Sequence, residues 1–231
     1  MNLIPTIVLI VVIGLIWLIT GSVRRAKQQK KRRIEFLRNL GFYSVPEDEP
    51  MLVQKIASLN PKKTGPFSTK NLQVRKEYSY SLYLYDLHDS SGDGTTINHD
   101  QVSLVAGEWS LPRFSILPKI ESKGFLAQMA NQAMTWAAGL AFVRVDFPED
   151  PPFQDHFILA GDDESALRAF FTPARRQQLL EHHSWCLEGY HDILNLSKMD
   201  FSRKNKEEWE QQILSTLDTA SALARIFTES E

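Results

Sequence analysis

"EYSYSLYLYDLH", Glu77 to His88, alternates along its whole length. Tyr78, Tyr80, Leu82 and Leu84 fall on one side, and Ser79, Ser81, Tyr83 and Tyr85 on the other. A period of two built from aromatic and aliphatic side chains predicts a β-strand. Immediately after it comes "DSSGDGTTINHD", Asp89 to Asp100, which has two readings. As a calcium loop it offers oxygens at Asp89, Ser91 and Asp93, a glycine at Gly94 and a carboxylate at Asp100. That motif wants a bidentate Glu in the last position and a helix on each side. Here Asp100 is shorter, and the flanks are strand-like. A Ser-Gly-Asp-Gly cluster between two alternating runs is a hairpin signal, so the loop is read as the turn of a β-hairpin.

The pattern continues as "TINHDQVSLVAG" (Thr96–Gly107) and "LPRFSILPK" (Leu111–Lys119). Pro112 and Pro118 fence the last of these as a short edge strand. The three runs together predict an antiparallel meander. Upstream, "VPEDEPMLVQKIASLNP" (Val45–Pro61) predicts a short helix opened by acids and Pro50, and "KKTGPFSTKN" (Lys62–Asn71) a loop. Downstream, "LAFVRVDF" and "HFILAGDD" read as strands, and "ESALRAFFTPARRQQLLEHH" as a helix broken at Pro173. Asp162-Asp163 before it read as a helix cap. "SWCLEGYHDILNLS" (Ser184–Ser197) predicts a hairpin. The closing helix carries Trp209, Ile213, Leu217, Ala220, Ala224 and Phe227 at spacings of three and four, a face that covers a sheet. The fold class is therefore α+β, with an antiparallel sheet flanked by helices.

The first part of the chain is different. Leu3 to Ile19, "LIPTIVLIVVIGLIWLI", has no charged side chain, and its 17 residues span roughly 25 Å as a helix, near the lower limit for crossing a bilayer. Trp17 sits where an interfacial anchor would. Seven bases follow with no acid among them: Arg24, Arg25, Lys27, Lys30, Lys31, Arg32 and Arg33. A cleaved signal peptide would carry its positive charge before the apolar run. The order here predicts a retained transmembrane anchor over residues 1–23 and a basic juxtamembrane helix over 24–41, stopping at Gly41. The soluble domain over 42–231 is then held on the cytoplasmic side of an inner membrane by the positive-inside rule. The seven bases are expected to touch anionic head groups of the lipid bilayer. Gly124 to Val143 is also free of formal charge, but Gln128, Asn131, Gln132 and Thr135 predict a buried helix and not a second crossing.

Charge also narrows function. Of the 26 Lys and Arg, 19 lie beyond residue 33 against all 28 acids, a net of −9 for the soluble part. Such a surface repels a phosphate backbone, so no nucleic-acid partner is expected. Among residues that carry chemistry, His182, His183, Cys186 and His191 are zinc-type ligands or a thiol-imidazole pair, but their spacing matches no usual zinc pattern. Cys186, between Trp185 and Leu187 in a strand, reads as a buried structural thiol. His88-Asp89 and His99-Asp100 flank the hairpin loop and would offer two imidazoles if the register brought them together. No phosphate-binding glycine loop, dinucleotide fingerprint or nucleophile elbow occurs. No cofactor is implied.

"LPRFSILPK", "FQDHFILAGDDESALRAFF", the Trp185-Cys186-Leu187-Glu188-Gly189 strand and the long closing helix resemble the pattern of uncharacterised bacterial membrane-anchored proteins. The likeness runs over roughly residues 78–228. It implies a single transmembrane segment ahead of a cytosolic α+β domain and brings no catalytic residues. The expected function is a non-catalytic, membrane-tethered interaction module with a protein partner. The alternative is a metal-dependent enzyme using His182, His183, Cys186 and His191.

Overall fold

The structure, a computed structural model, describes residues 17, 24, 27–59, 66–90, 96–119, 142–198 and 206–228. The expected anchor, apart from a helical and exposed Trp17, lies outside these residues, as does nearly all of the uncharged run Gly124–Val143. Among the described residues, no helix is long and apolar enough to cross a membrane. The chain divides into two compact units, Met1–Ser44 and Val45–Glu231.

In the first unit, residues 27–39 form helix α1, followed by a two-residue strand β1 (Tyr43–Ser44). The helix ends where Gly41 adopts a φ of 85°. The Gly41 N–H donates to the Arg38 carbonyl and the Phe42 N–H to that of Leu37, both at 3.0 Å. These two bonds satisfy carbonyls that the helix end would leave open, and only a residue without a Cβ takes that φ without cost.

The second unit is an α+β domain on an antiparallel sheet. Its strands are β2 (Phe67–Lys76), β3 (Ser81–Asp89), β4 (Thr96–Val105), β5 (Leu111–Pro118), β6 (Val143–Val145), β7 (Phe157–Gly161), β8 (Trp185–His191) and β9 (Ile193–Lys198). They hydrogen-bond in the order β2-β3-β4-β9-β8-β5-β7-β6. Its helices are α2 (Pro50–Leu59), α3 (Pro151–His156), α4 (Glu164–Phe170), α5 (Pro173–Leu179) and α6 (Lys206–Thr228), with a 3₁₀ turn at Leu180–His182.

Four expectations need correction. Glu77 to Tyr80 are not strand. The Glu77 N–H donates to the Tyr80 carbonyl at 2.8 Å and closes the β2–β3 turn, leaving Tyr78 fully exposed. The expected loop becomes strand β2 from Phe67 on. Its register with β3 slips between Lys70 and Gln73, at Asn71 with a φ of 53°. That bulge makes Leu72, Gln73 and Val74 buried in a row and erases the alternation a strand should show. The meander also fails at its third strand. β4 pairs with β9, and the β8–β9 hairpin separates β4 from β5. β5 is thus an interior strand between β7 and β8. Its prolines are tolerated because Pro112 sits in the register shift between Leu111 and Phe114, and Pro118 is the last residue.

Both faces of the sheet centre are covered. Leu82, Leu104 and Leu194 form one fully buried cross-strand row, and Leu84, Val102 and Leu196 a second. Helix α6 packs on β4 and buries Ile213, Leu217, Ala220, Leu223, Ala224 and Phe227. Its placement is tied by Trp209 Nε1 donating to Asp100 Oδ2 at 3.0 Å and Trp109 Nε1 donating to Thr228 Oγ1 at 3.1 Å. In a second cluster, Leu52, Ile56 and Leu59 of α2 pack with Leu72, Tyr85 and Ile193. Helix α2 starts where the Glu49 carboxylate accepts the Leu52 N–H at 2.9 Å, with Pro50 first in the helix. Tyr85 carries a polar handle into this layer. Its hydroxyl lies 2.8 Å from Ser103 Oγ, which donates to Asn195 Oδ1 at 3.1 Å, and Asn195 Nδ2 donates to Glu188 Oε2 at 3.3 Å.

Candidate functional site

The loop that offers calcium-type ligands joins strands β3 and β4. Asp89 pairs with Thr96, and Leu87 with Asn98. The flanks are strands, so the helix–loop–helix frame that positions calcium ligands is missing. Asp93 lies outside the described residues. The organising carboxylate is instead Asp86, which sequence reasoning passed over. It is buried opposite a second bulge, where Asp100 has a φ of 53°. Asp86 accepts from Asn71 Nδ2 at 2.6 Å and from the Asp100 N–H at 3.2 Å, and His99 Nδ1 lies 3.3 Å from it. One carboxylate thus holds the irregular residues of the two neighbouring strands. His88 pairs with Ile97, and His99 turns to Asp86, so the register does not set the two imidazoles face to face.

The histidine and cysteine cluster is dispersed. Cys186 is buried in β8, where burial first and the charge of Glu188 second push its thiol up to about 12, against a hydrogen bond with Ser197. His191 ends the same strand, five residues on or roughly 16 Å away in extended chain, with a φ of 50° and its ring 3.9 Å from that of Tyr190. His182 lies in the 3₁₀ turn, where burial holds it below the usual histidine range despite Glu181. His183 is bound through Nδ1 to the Leu180 carbonyl at 3.1 Å. Among the described residues no three of His, Cys, Asp and Glu gather as a metal would require. A nucleophilic cysteine must be a thiolate, and this one keeps its proton.

That geometry has two measurable consequences. A maleimide at pH 8 should leave the folded chain unlabelled over a time in which urea-unfolded chain reacts fully; rapid labelling of native protein would contradict the burial. Burial likewise raises the Tyr85 hydroxyl. Both groups hold their protons more tightly folded than unfolded. The thiol's contribution to stability is therefore complete below about pH 9 and is lost as pH rises toward 12, and that of the hydroxyl is lost at higher pH still. Urea midpoints measured across pH 8 to 11 should fall accordingly.

Basic residues Lys27, Lys30, Lys31 and Arg32 are exposed on α1, as is Arg24; Arg33 is half-buried, and Arg25 lies outside the described residues. In the second unit, a groove of about 380 Å³ opens between α2 and the apex of the β8–β9 hairpin. Met51, Lys55, Tyr190, His191 and Asp192 line it, with the Lys55–Asp192 ion pair among them. Arg113 lies 3.8 Å over the Tyr190 ring and bonds Asp162 Oδ2 at 2.8 Å.

No protein-family model matches the chain, and no curated protein matches it in sequence. A crystal structure of the mycobacterial trehalose monomycolate transport factor A, TtfA, superposes with a TM-score of 0.48 at 12% identity, over 88% of this chain and 98% of that one.

Proposed function

We propose that this protein is a membrane-tethered, non-catalytic interaction module of the kind found in bacterial membrane-anchored proteins. It has a single pass through the inner membrane, a cytoplasmic α+β domain and a protein partner. The observation that carries this reading is the order of charge along the chain: 17 mostly apolar residues without a charge, then seven bases, then a net of −9. Arg24, Arg25, Lys27, Lys30, Lys31, Arg32 and Arg33 hold the topology and contact anionic lipid, at about 1 kcal/mol for each base near the surface. Confinement at the bilayer raises the local concentration of the domain for a partner in the same plane.

The test is a pair of C-terminal reporters in a Gram-negative host, one fluorescent only in the cytoplasm and one enzymatically active only after export. Fluorescence without exported activity is expected, together with protection of the domain from protease added to spheroplasts. Mature protein beginning after Gly21, or digestion of the domain from outside, would end the proposal.

A further inference from the structure

We propose that His156 and His183 form a two-imidazole site for one divalent transition-metal ion, at the corner where α3 meets the turn after α5. The rings lie 5.5 Å apart between centroids at an interplanar angle of 68°. A tetrahedral ion with Zn–N bonds of about 2.0–2.1 Å places two imidazole centres about 5 Å apart, a separation close to that of these two rings. Both rings also hold the tautomer a metal ligand needs. His156 Nδ1 sits 2.8 Å from the Pro152 carbonyl oxygen, and His183 Nδ1 sits 3.1 Å from that of Leu180. A carbonyl only accepts, so each Nδ1 carries a proton, and in the neutral ring the lone pair is then on Nε2. Donation of the second ring nitrogen to a carbonyl is the arrangement that orients metal-bound histidine and strengthens it as a ligand.

The two side chains come from segments clamped together. Asp150 caps α3 through the Phe153 N–H at 3.3 Å and also accepts from Arg176 Nε of α5 at 2.7 Å. Phe153 on α3 and Leu179 at the end of α5 are both buried, and α3 packs against the 3₁₀ turn. The imidazoles themselves are exposed, so an ion reaches them from solvent. Imidazole suits zinc, copper and nickel and discriminates against calcium and magnesium. Among the described residues no third His, Cys, Asp or Glu joins the pair. Water or a donor from another molecule fills the remaining positions, so the ion exchanges readily and is not a structural staple.

The test uses untagged full-length protein in detergent micelles, stripped of metal and titrated with zinc chloride by calorimetry. One zinc per chain is expected, with affinity at least tenfold weaker in His156→Ala and in His183→Ala. His99→Ala removes another exposed imidazole and should bind as the parent does. Both site variants should keep the parental melting temperature, because neither side chain is buried. Absence of saturable binding, unchanged affinity in both site variants, or an equal loss in His99→Ala would each overturn the proposal.

Discussion

Replacing Gly189 with alanine should destabilise the domain by about 3 kcal/mol, the upper end of what one added methyl costs in a packed core. Gly189 of β8 stands opposite Phe114 of β5, whose ring lies over it. An added Cβ would fall 2.3 Å from Phe114 Cε1 and 2.5 Å from Cζ. Ordinarily the ring would swing away. Here it is boxed by Phe171 at 5.0 Å, Phe227 at 5.9 Å and Phe170 at 6.1 Å between centroids. These rings come from α4, its C-terminal cap and α6, so displacing Phe114 disturbs two helices at once. For a domain of this size the loss corresponds to roughly 6–12 °C in melting temperature. Phe114→Leu should recover part of that loss in the Gly189→Ala background, because residues in contact do not contribute additively. Circular dichroism melts of the four proteins test both statements. A loss under 1 kcal/mol for Gly189→Ala, or strict additivity with Phe114→Leu, would show that the ring is not confined.

Arg176→Ala should be comparably damaging, at about 3–5 kcal/mol, the range for removing one partner of a buried pair. Arg176 is 4% exposed. Its Nε donates to Asp150 Oδ2 at 2.7 Å, its Nη1 to the Phe171 carbonyl at 2.9 Å, and its guanidinium lies 4.1 Å over the Phe147 ring. Truncation leaves Asp150 Oδ2 and the Phe171 carbonyl without their Arg176 donors and uncovers an aromatic ring. Lysine would not rescue the site, since an ammonium cannot stack on Phe147 while meeting both acceptors in one plane. Asp150→Asn should cost less than Arg176→Ala, because asparagine still caps α3. In that background the Arg176→Ala penalty should shrink by at least 1 kcal/mol, as coupling within one network predicts. Urea midpoints for the cycle decide it; independent effects would contradict the clamp.

Local chemistry made several elements readable. The β3–β4 hairpin followed from alternation on both sides of a glycine-rich loop. The α6 face followed from spacing of three and four, and the end of α1 from Gly41. Asp163 caps α4 by accepting the Ala166 N–H at 3.1 Å, as its place ahead of "ESALRAFF" suggested. Each of these signals lies within one or two turns of chain. Strand β2 was hidden because the bulge at Asn71 puts three consecutive buried residues where a strand should alternate. Asp86 was overlooked because a single acid in an aromatic strand has no distinguishing spacing. The Asn71 amide and the Asp100 N–H that give it a role arrive from neighbouring strands.

Composition and order along the chain by themselves determined the charge asymmetry, the apolar first segment, the α+β class and most element identities. These depend on side-chain period, caps and turn residues, which act over a few bonds. The strand order was decided only in three dimensions. β5 follows β4 in the chain yet lies beyond β9 and β8, since pairing is set by which buried rows complete one another across the sheet. The same holds for His183, whose ring meets that of His156, 27 residues earlier in the chain. Contacts between distant segments are chosen by packing of whole elements, and no local pattern records them.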